Sequence, residues 1–323
     1  MKNPIFILLT ILTFQLKAQD RISTQSDSLL QAIERTDDDS TKAHLYSQLK
    51  EIWQTKNFQK AVTYGRKGLG LARKTGNVNQ QIGLSYQLAF AYMSIGNAPA
   101  AIDILQQLLP LVKDKNLDGY GTALAFIAMS YLKQQDYSNA LKYMRMANAL
   151  LPEMARRGQV LEQRSYLNCF TTMSEIFTKL NQPDSALHYG KIAYGRLSSE
   201  KKILPGSEFF QWNIPWIYGD ANRKAQHWAE AKRLYDEALL HAKKQNYQTG
   251  IDAVTLSMAQ LFEQTNQLDS AVVYAKRAFN GFQKGADYPN LSEAGLLLYL
   301  LYKKKNDPNN ALPYFEIGMA AKD

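Results

Sequence analysis

Gln267-Leu268-Asp269-Ser270-Ala271 sets out a pattern that the chain repeats. A turn-like polar start leads, in most copies, through an apolar or aromatic residue to an alanine. Working outward, the same arrangement is found at Asn57-Phe58-Gln59-Lys60-Ala61, Asn97-Ala98-Pro99-Ala100-Ala101, Asp136-Tyr137-Ser138-Asn139-Ala140 and Gln182-Pro183-Asp184-Ser185-Ala186. It returns at His227-Trp228-Ala229-Glu230-Ala231 and Asp307-Pro308-Asn309-Asn310-Ala311. The final alanines Ala61, Ala101, Ala140, Ala186, Ala231, Ala271 and Ala311 are 40, 39, 46, 45, 40 and 40 residues apart. Seven alanines in phase identify an internal repeat, the feature to seek before any other.

Each alanine is expected to open the second helix of a pair. Three positions later stands a larger residue, mostly tyrosine: Tyr64, Ile104, Tyr143, Tyr189, Leu234, Tyr274 and Tyr314. Seven positions later stands a small one, Gly68, Ala147, Ala193, Ala238, Ala278 or Gly318, with Leu108 the exception. These spacings share one helix face. Small residues let a neighbouring backbone approach, and the aromatics fill the space beside it. Upstream, a first helix carries Ala89, Ala128, Ser174, Gly219 and Ala259 twelve residues before the alanine, with Leu49 and Tyr299 departing. Nine residues before it stand Ile52, Tyr92, Tyr131, Phe177, Phe262 and Tyr302, with Asn222 departing. Each repeat therefore reads as helix, short turn, helix. Residues 27–35 add a short amphipathic helix, and Asp37-Asp38-Asp39-Ser40 reads as its exit and the cap of the next.

This pattern resembles the tetratricopeptide repeat (TPR) family over about residues 40–323. The usual period is about 34 residues, so the helices or links here are longer. The resemblance implies an all-α, right-handed α-solenoid of about seven helix-turn-helix repeats, with first helices lining the concave surface. One helix pair cannot bury its apolar face alone, whereas stacked neighbours can. The expected organisation is a signal peptide over 1–18, a short helix and linker over 19–39, and one solenoid over 40–323, its last repeat either whole or cut short.

The 323 residues hold 46% hydrophobic and 21% charged side chains, a globular composition. Lys2, the apolar run Pro4–Leu16 and Leu16-Lys17-Ala18 read as a secretory signal with a cleavage site before Gln19; an uncleaved anchor is the competing reading. The formal charge is +9, and removing Lys2 and Lys17 leaves +7. The basic residues are dispersed. Runs such as Lys243-Lys244 and Lys303-Lys304-Lys305 close helical patterns, where cations complement the helix dipole. Together with export, this argues against nucleic acid as a partner.

Catalytic signatures are absent. The sequence lacks HExxH, GxSxG and GxxxxGK[ST]. Gly65, Gly68 and Gly70 fall inside a second helix rather than a phosphate loop, and Gly119 and Gly121 read as a linker. His44, His188, His227 and His241 are scattered without metal spacing, and Cys169 reads as a small buried hydrophobe. The chain is expected to be non-enzymatic, without metal or cofactor. An enzyme on this scaffold would need an acid pair in a deep pocket.

Helical phase places candidate ligand-binding residues three before, one after and four after each first helix's small residue. Tyr86, Phe90 and Met93 come from the second repeat, and Ala125, Met129 and Leu132 from the third. Thr171, Glu175 and Thr178 follow, then Trp216, Asp220 and Arg223, then Leu256, Gln260 and Glu263. Of these, Tyr86, Phe90, Met93, Met129, Trp216, Asp220 and Arg223 are the chosen contacts, since aromatics, Met and Arg suit adaptable capture of a peptide or protein. The competing reading packs Tyr86, Phe90 and Met129 within the superhelix. Some family members clamp a terminal carboxylate with Lys and Asn; Tyr46, Lys50, Tyr86 and Phe90 at the matching positions do not reproduce that clamp. Residues 205–218 are rich in aromatics and contain Pro215, at or near which a helix is expected to start or kink; they read either as a specificity patch or as filler at an irregular junction.

The resemblance extends to the periplasmic sensor regions of membrane-bound histidine kinases or helix-turn-helix regulators, on Asp27-Ser28-Leu29-Leu30, Asp39-Ser40-Thr41-Lys42-Ala43 and the closing Ala-Ala-Lys-Asp. The leading expectation is an exported peptide-binding scaffold. The alternative is the sensor part of a transmembrane regulator, meeting the membrane through a downstream segment. Both imply an extracytoplasmic location.

Overall fold

In the computed structural model, the turn inside each of the last six repeats is built by one residue in the left-handed region. Gly96, Gln135, Asn181, Gln226, Asn266 and Asn306 hold φ between 55° and 76°. The amide that follows reaches back five residues to a helix carbonyl: Asn97 N–H to Tyr92, Asp136 to Tyr131, Gln182 to Phe177, His227 to Asn222, Gln267 to Phe262 and Asp307 to Tyr302, at 2.8–3.0 Å. This is the Schellman closure, which satisfies orphan carbonyls at a helix end. The residue making it also starts the next helix. The Asn97 and Asp307 side chains accept the amides of Ala100 and Asn310, and Asp136 accepts that of Asn139. Each turn is therefore too short for anything but an antiparallel hairpin.

The structure describes residues 23–54, 57–113, 116–157, 163–199 and 207–321, and among these there is no strand. Helix α1 covers 23–35, beginning four residues before the expected 27. Seven pairs follow. They are α2 (Asp39–Gln54) with α3 (Phe58–Lys74), α4 (Val78–Ser94) with α5 (Ala98–Val112), and α6 (Leu117–Lys133) with α7 (Tyr137–Arg156). Next come α8 (Gln163–Lys179) with α9 (Pro183–Ser199), and α10 (Phe210–Lys224) with α11 (Trp228–Lys244). The last are α12 (Gln248–Gln264) with α13 (Leu268–Gly285), and α14 (Tyr288–Lys304) with α15 (Pro308–Ala320). The expected signal peptide over 1–18 lies outside the described residues. No helix among those described is long and apolar enough to cross a membrane.

All seven repeat alanines are the fourth residue of their second helix, and all are buried. The residues nine before and three after them meet as ring pairs: Tyr131 with Tyr143 at 5.6 Å, Phe177 with Tyr189 at 5.5 Å, Phe262 with Tyr274 at 5.1 Å and Tyr302 with Tyr314 at 5.8 Å. Offset contact of this kind adds to the area that the rings bury. In the last repeat, Tyr299 does not supply the small residue. Gly295, one turn earlier, lies against Gly318: a Cβ built on it would stand 2.8 Å from the Tyr314 carbonyl and 3.0 Å from the Gly318 Cα.

The helices gather into two compact bodies, Met1–Met154 and Ala155–Asp323, with the boundary in the last turn of α7. The repeat pattern carries no sign of this division. The N-terminal body is cored by residues such as Leu88, Leu105 and Ile127. The C-terminal body has one cluster around Trp212, Tyr235 and Val254 and another around Phe279, Phe282 and Leu298. Trp53 donates to the Ser26 hydroxyl at 3.2 Å, tying α2 to α1.

Two local readings change. Gly119 and Gly121 are not linker but the first turns of α6, where the Gly119 amide donates to the Asn116 side chain at 2.8 Å. A Cβ on Gly119 would crowd that cap at 3.0 Å. Helix α10 begins at Phe210 rather than near Pro215, which sits in its second turn, where the ring costs only one intrahelical bond. Phe210 and Trp212 are buried, and Trp212 lies over Gly250. Much of the 207–218 segment therefore fills a junction.

Candidate functional site

The first helices present three rows, and burial separates them. The row three before the small residue turns towards the following repeat. In it, Ala125, Thr171 and Leu256 are buried. Tyr86 donates its hydroxyl to the Gly119 carbonyl at the start of α6, with its ring 5.9 Å from that of Phe126. Burial, with Asp118 nearby, pushes that hydroxyl's pKa up, so it stays a donor. Trp216 donates its indole N–H to the Ser257 hydroxyl on α12 at 2.8 Å and stacks on Trp212 at 5.7 Å. These two side chains fasten consecutive first helices and are largely spoken for by the fold.

The row four after the small residue is mixed. Met93, Leu132 and Glu263 are half-buried, and Thr178 is buried. Arg223 is only 7% exposed. Its guanidinium donates to the Tyr235 hydroxyl at 3.1 Å, the Gln264 side chain at 3.3 Å and Asp220 at 3.4 Å. Tyr235, fully buried, donates to the same Asp220 oxygen at 2.6 Å. Asp220 and Arg223 are thus members of an internal network binding α10 to α11 and α12, rather than free contacts. The network stands where this repeat lacks the ring pair: Asn222 and Leu234 take those positions, Tyr235 supplies the aromatic one residue later, and Gly219 makes room for its ring at 2.7 Å. Gly219 and Asn222 were the only sequence signs of it.

The row one after the small residue faces outward in part: Phe90 and, in the last repeat, Leu300 are exposed, while Met129, Glu175, Asp220 and Gln260 are half-buried. Phe90 is 45% exposed, one of several exposed aromatics among the described residues. In the N-terminal body it shares its face with half-buried Met93 and Met129. The first repeat is different: Lys50 is only 3% exposed and donates to Gln54, and burial lowers its pKa. The face of the C-terminal body is laced by Gln260 to Glu293 at 2.7 Å and by the Lys304–Glu263 ion pair, with exposed Leu300 in the last repeat.

Among the described residues, no group of three His, Cys, Asp or Glu side chains is placed to hold a metal ion. Cys169 is 3% exposed in α8, and burial pushes its thiol up to about 12. It is a thiol rather than a thiolate nucleophile at neutral pH.

The fold is that of TPR-like helical-repeat proteins. A similar solved structure is the apo form of the quorum sensor NprR from B. thuringiensis, 14% identical, with a TM-score of 0.69 over 97% of this chain and 86% of that one. The Rap conjugation gene regulator of the plasmid pLS20, in complex with the Phr* peptide, is 16% identical with a TM-score of 0.68 over 87% and 73% of the two chains. A Rap protein complexed with Competence and Sporulation Factor is 12% identical, with a TM-score of 0.64 over 88% and 77%. No protein-family model and no curated protein matches the sequence.

Proposed function

We propose that this chain is an exported, non-enzymatic TPR-like scaffold that binds a peptide or protein segment on its first-helix face, anchored in the N-terminal body at Phe90 beside Met93 and Met129. The observation that carries this reading is the 45% exposure of Phe90 in the outward row, where its neighbours in the inward row are already bonded within the fold. An exposed aromatic flanked by flexible thioethers suits a partner that supplies an apolar side chain. Two of the similar structures are described as complexes with Phr* and with Competence and Sporulation Factor, which supports recognition on this fold. Export rests on the Lys2 and Pro4–Leu16 pattern.

The descriptions of NprR as a quorum sensor and of a Rap protein as a conjugation gene regulator favour a regulatory use of such binding. The same face would serve as the extracytoplasmic sensor part of a transmembrane regulator.

The test is to select binders from a random peptide library on the full chain and titrate them calorimetrically. Phe90→Ala is expected to weaken them by about 2 kcal/mol or more, about thirtyfold. Val273→Ala, an exposed apolar side chain on the second helix α13, should leave them unchanged. Binders indifferent to Phe90 would sink the proposal.

A further inference from the structure

On the second-helix side of the C-terminal body, α11, α12 and α13 enclose a pocket of about 290 Å³. Its deepest residues are Met258 and Thr255, both buried, with Ile251 and Tyr274 forming apolar walls. Thr255 donates its hydroxyl to its own helix at the Ile251 carbonyl, 2.6 Å away, so the interior offers a ligand little polarity. Tyr274 is held by its contact with Phe262, which makes that wall rigid.

The rim is charged. Asp236 is engaged by Lys232 at 2.8 Å. Lys243 and Arg277 line the same pocket; among the described residues neither makes a hydrogen bond or ion pair, and Arg277 acts on the buried Asp252 carboxylate at longer range. The mouth thus carries two cations and one carboxylate, Asp236, over an apolar floor. Leu240 stands beside them at 66% exposure, the most exposed large apolar side chain among the described residues. A lone leucine among charges on an outer helix face has no packing role, but it would cover an apolar body entering the pocket.

We infer that this pocket binds a small amphiphilic carboxylate, its apolar part against Met258, Ile251 and Tyr274 and its carboxylate between Lys243 and Arg277. Charge complementarity selects the anion. The volume, at the low end of the ~300–1,000 Å³ usual for ligand pockets, limits the body to a short alkyl chain or one ring. The site is separate from the first-helix face and does not depend on the peptide reading.

Sodium octanoate is the probe. Isothermal titration of the full chain is expected to show one saturable site, with octanol, the same body without the charge, binding at least tenfold more weakly. The double variant Lys243→Gln/Arg277→Gln should lose octanoate affinity at least tenfold. Leu240→Glu, which sets a repelling charge at the mouth, should do the same. All of these positions are exposed, so the melting temperature should hold and separate lost binding from lost folding. Absence of saturable binding, equal binding of octanol, or full affinity in both variants would overturn the proposal. Phe90→Ala should leave octanoate binding untouched, which keeps this test distinct from that of the peptide face.

Discussion

Ala286 holds φ at 53° at the end of α13, the only left-handed position among the described residues that is filled by alanine rather than Gly, Asn or Gln. A Cβ there costs about 1 kcal/mol relative to glycine. Because the side chain is exposed, Ala286→Gly should remove that strain without losing packing. The variant should melt about 2–4 °C higher. Gly295 poses the opposite case. A Cβ there meets the backbone of α15, which cannot swing aside as a flexible side chain can. Gly295→Ala should cost about 1–3 kcal/mol. Thermal melting of both variants checks the pair; equal melting temperatures would mean that α14 and α15 are not in this register. Neither effect follows from residue type alone. The alanine looks like a good helix former and the glycine like a poor one.

A helix of this repeat works through two features, the closing turn and the buried fourth residue. Ala271 touches the facing first helix with no exposed surface. Ala271→Leu inserts three carbons where backbones approach, and should destabilise the C-terminal body by about 1–3 kcal/mol or more. Denaturant unfolding followed by circular dichroism should show an earlier midpoint with an unchanged slope; an unmoved midpoint would contradict the burial. This element was legible in advance because the alanine recurs in phase and small residues have one reason to do so. The start of α10 was not. Pro215 reads as a helix opener by its own chemistry, yet the aromatic residues before it gain so much by packing on Trp216, Tyr247 and Gly250 that the helix extends back to Phe210. Gly119 read as linker for a similar reason: its role, clearing space for the Asn116 cap, exists only once α6 has formed.

Within each body, repeats touch mainly their neighbours, so stability is expected to be local. Leu105 is buried in the core of the N-terminal body. Leu105→Ala should cost about 2–5 kcal/mol there. Hydrogen exchange should then speed up in α4, α5 and α6 while the amides of α12, α13 and α14 keep their protection. An equal loss in both bodies would show a single cooperative unit instead.

The sequence by itself determined the helix-turn-helix repeat, its phase and its seven copies, because burial of a small residue once per repeat leaves a periodic mark on composition. It also put Phe90 and Met129 on one row, since a helix turns by a constant angle per residue; Phe90 is exposed there and Met129 half-buried. Only the tertiary structure decided which candidates were already committed within the fold. Tyr86 reaches Gly119, Trp216 reaches Ser257, and Arg223 reaches Gln264 across 33 to 41 residues of sequence. A hydrogen bond of that span depends on how one helix pair is stacked on the next, and leaves no periodic trace. The charged pocket of α11, α12 and α13 was hidden for the same reason. Its cations look like ordinary solvated helix lysine and arginine until three helices bring them over a shared apolar floor.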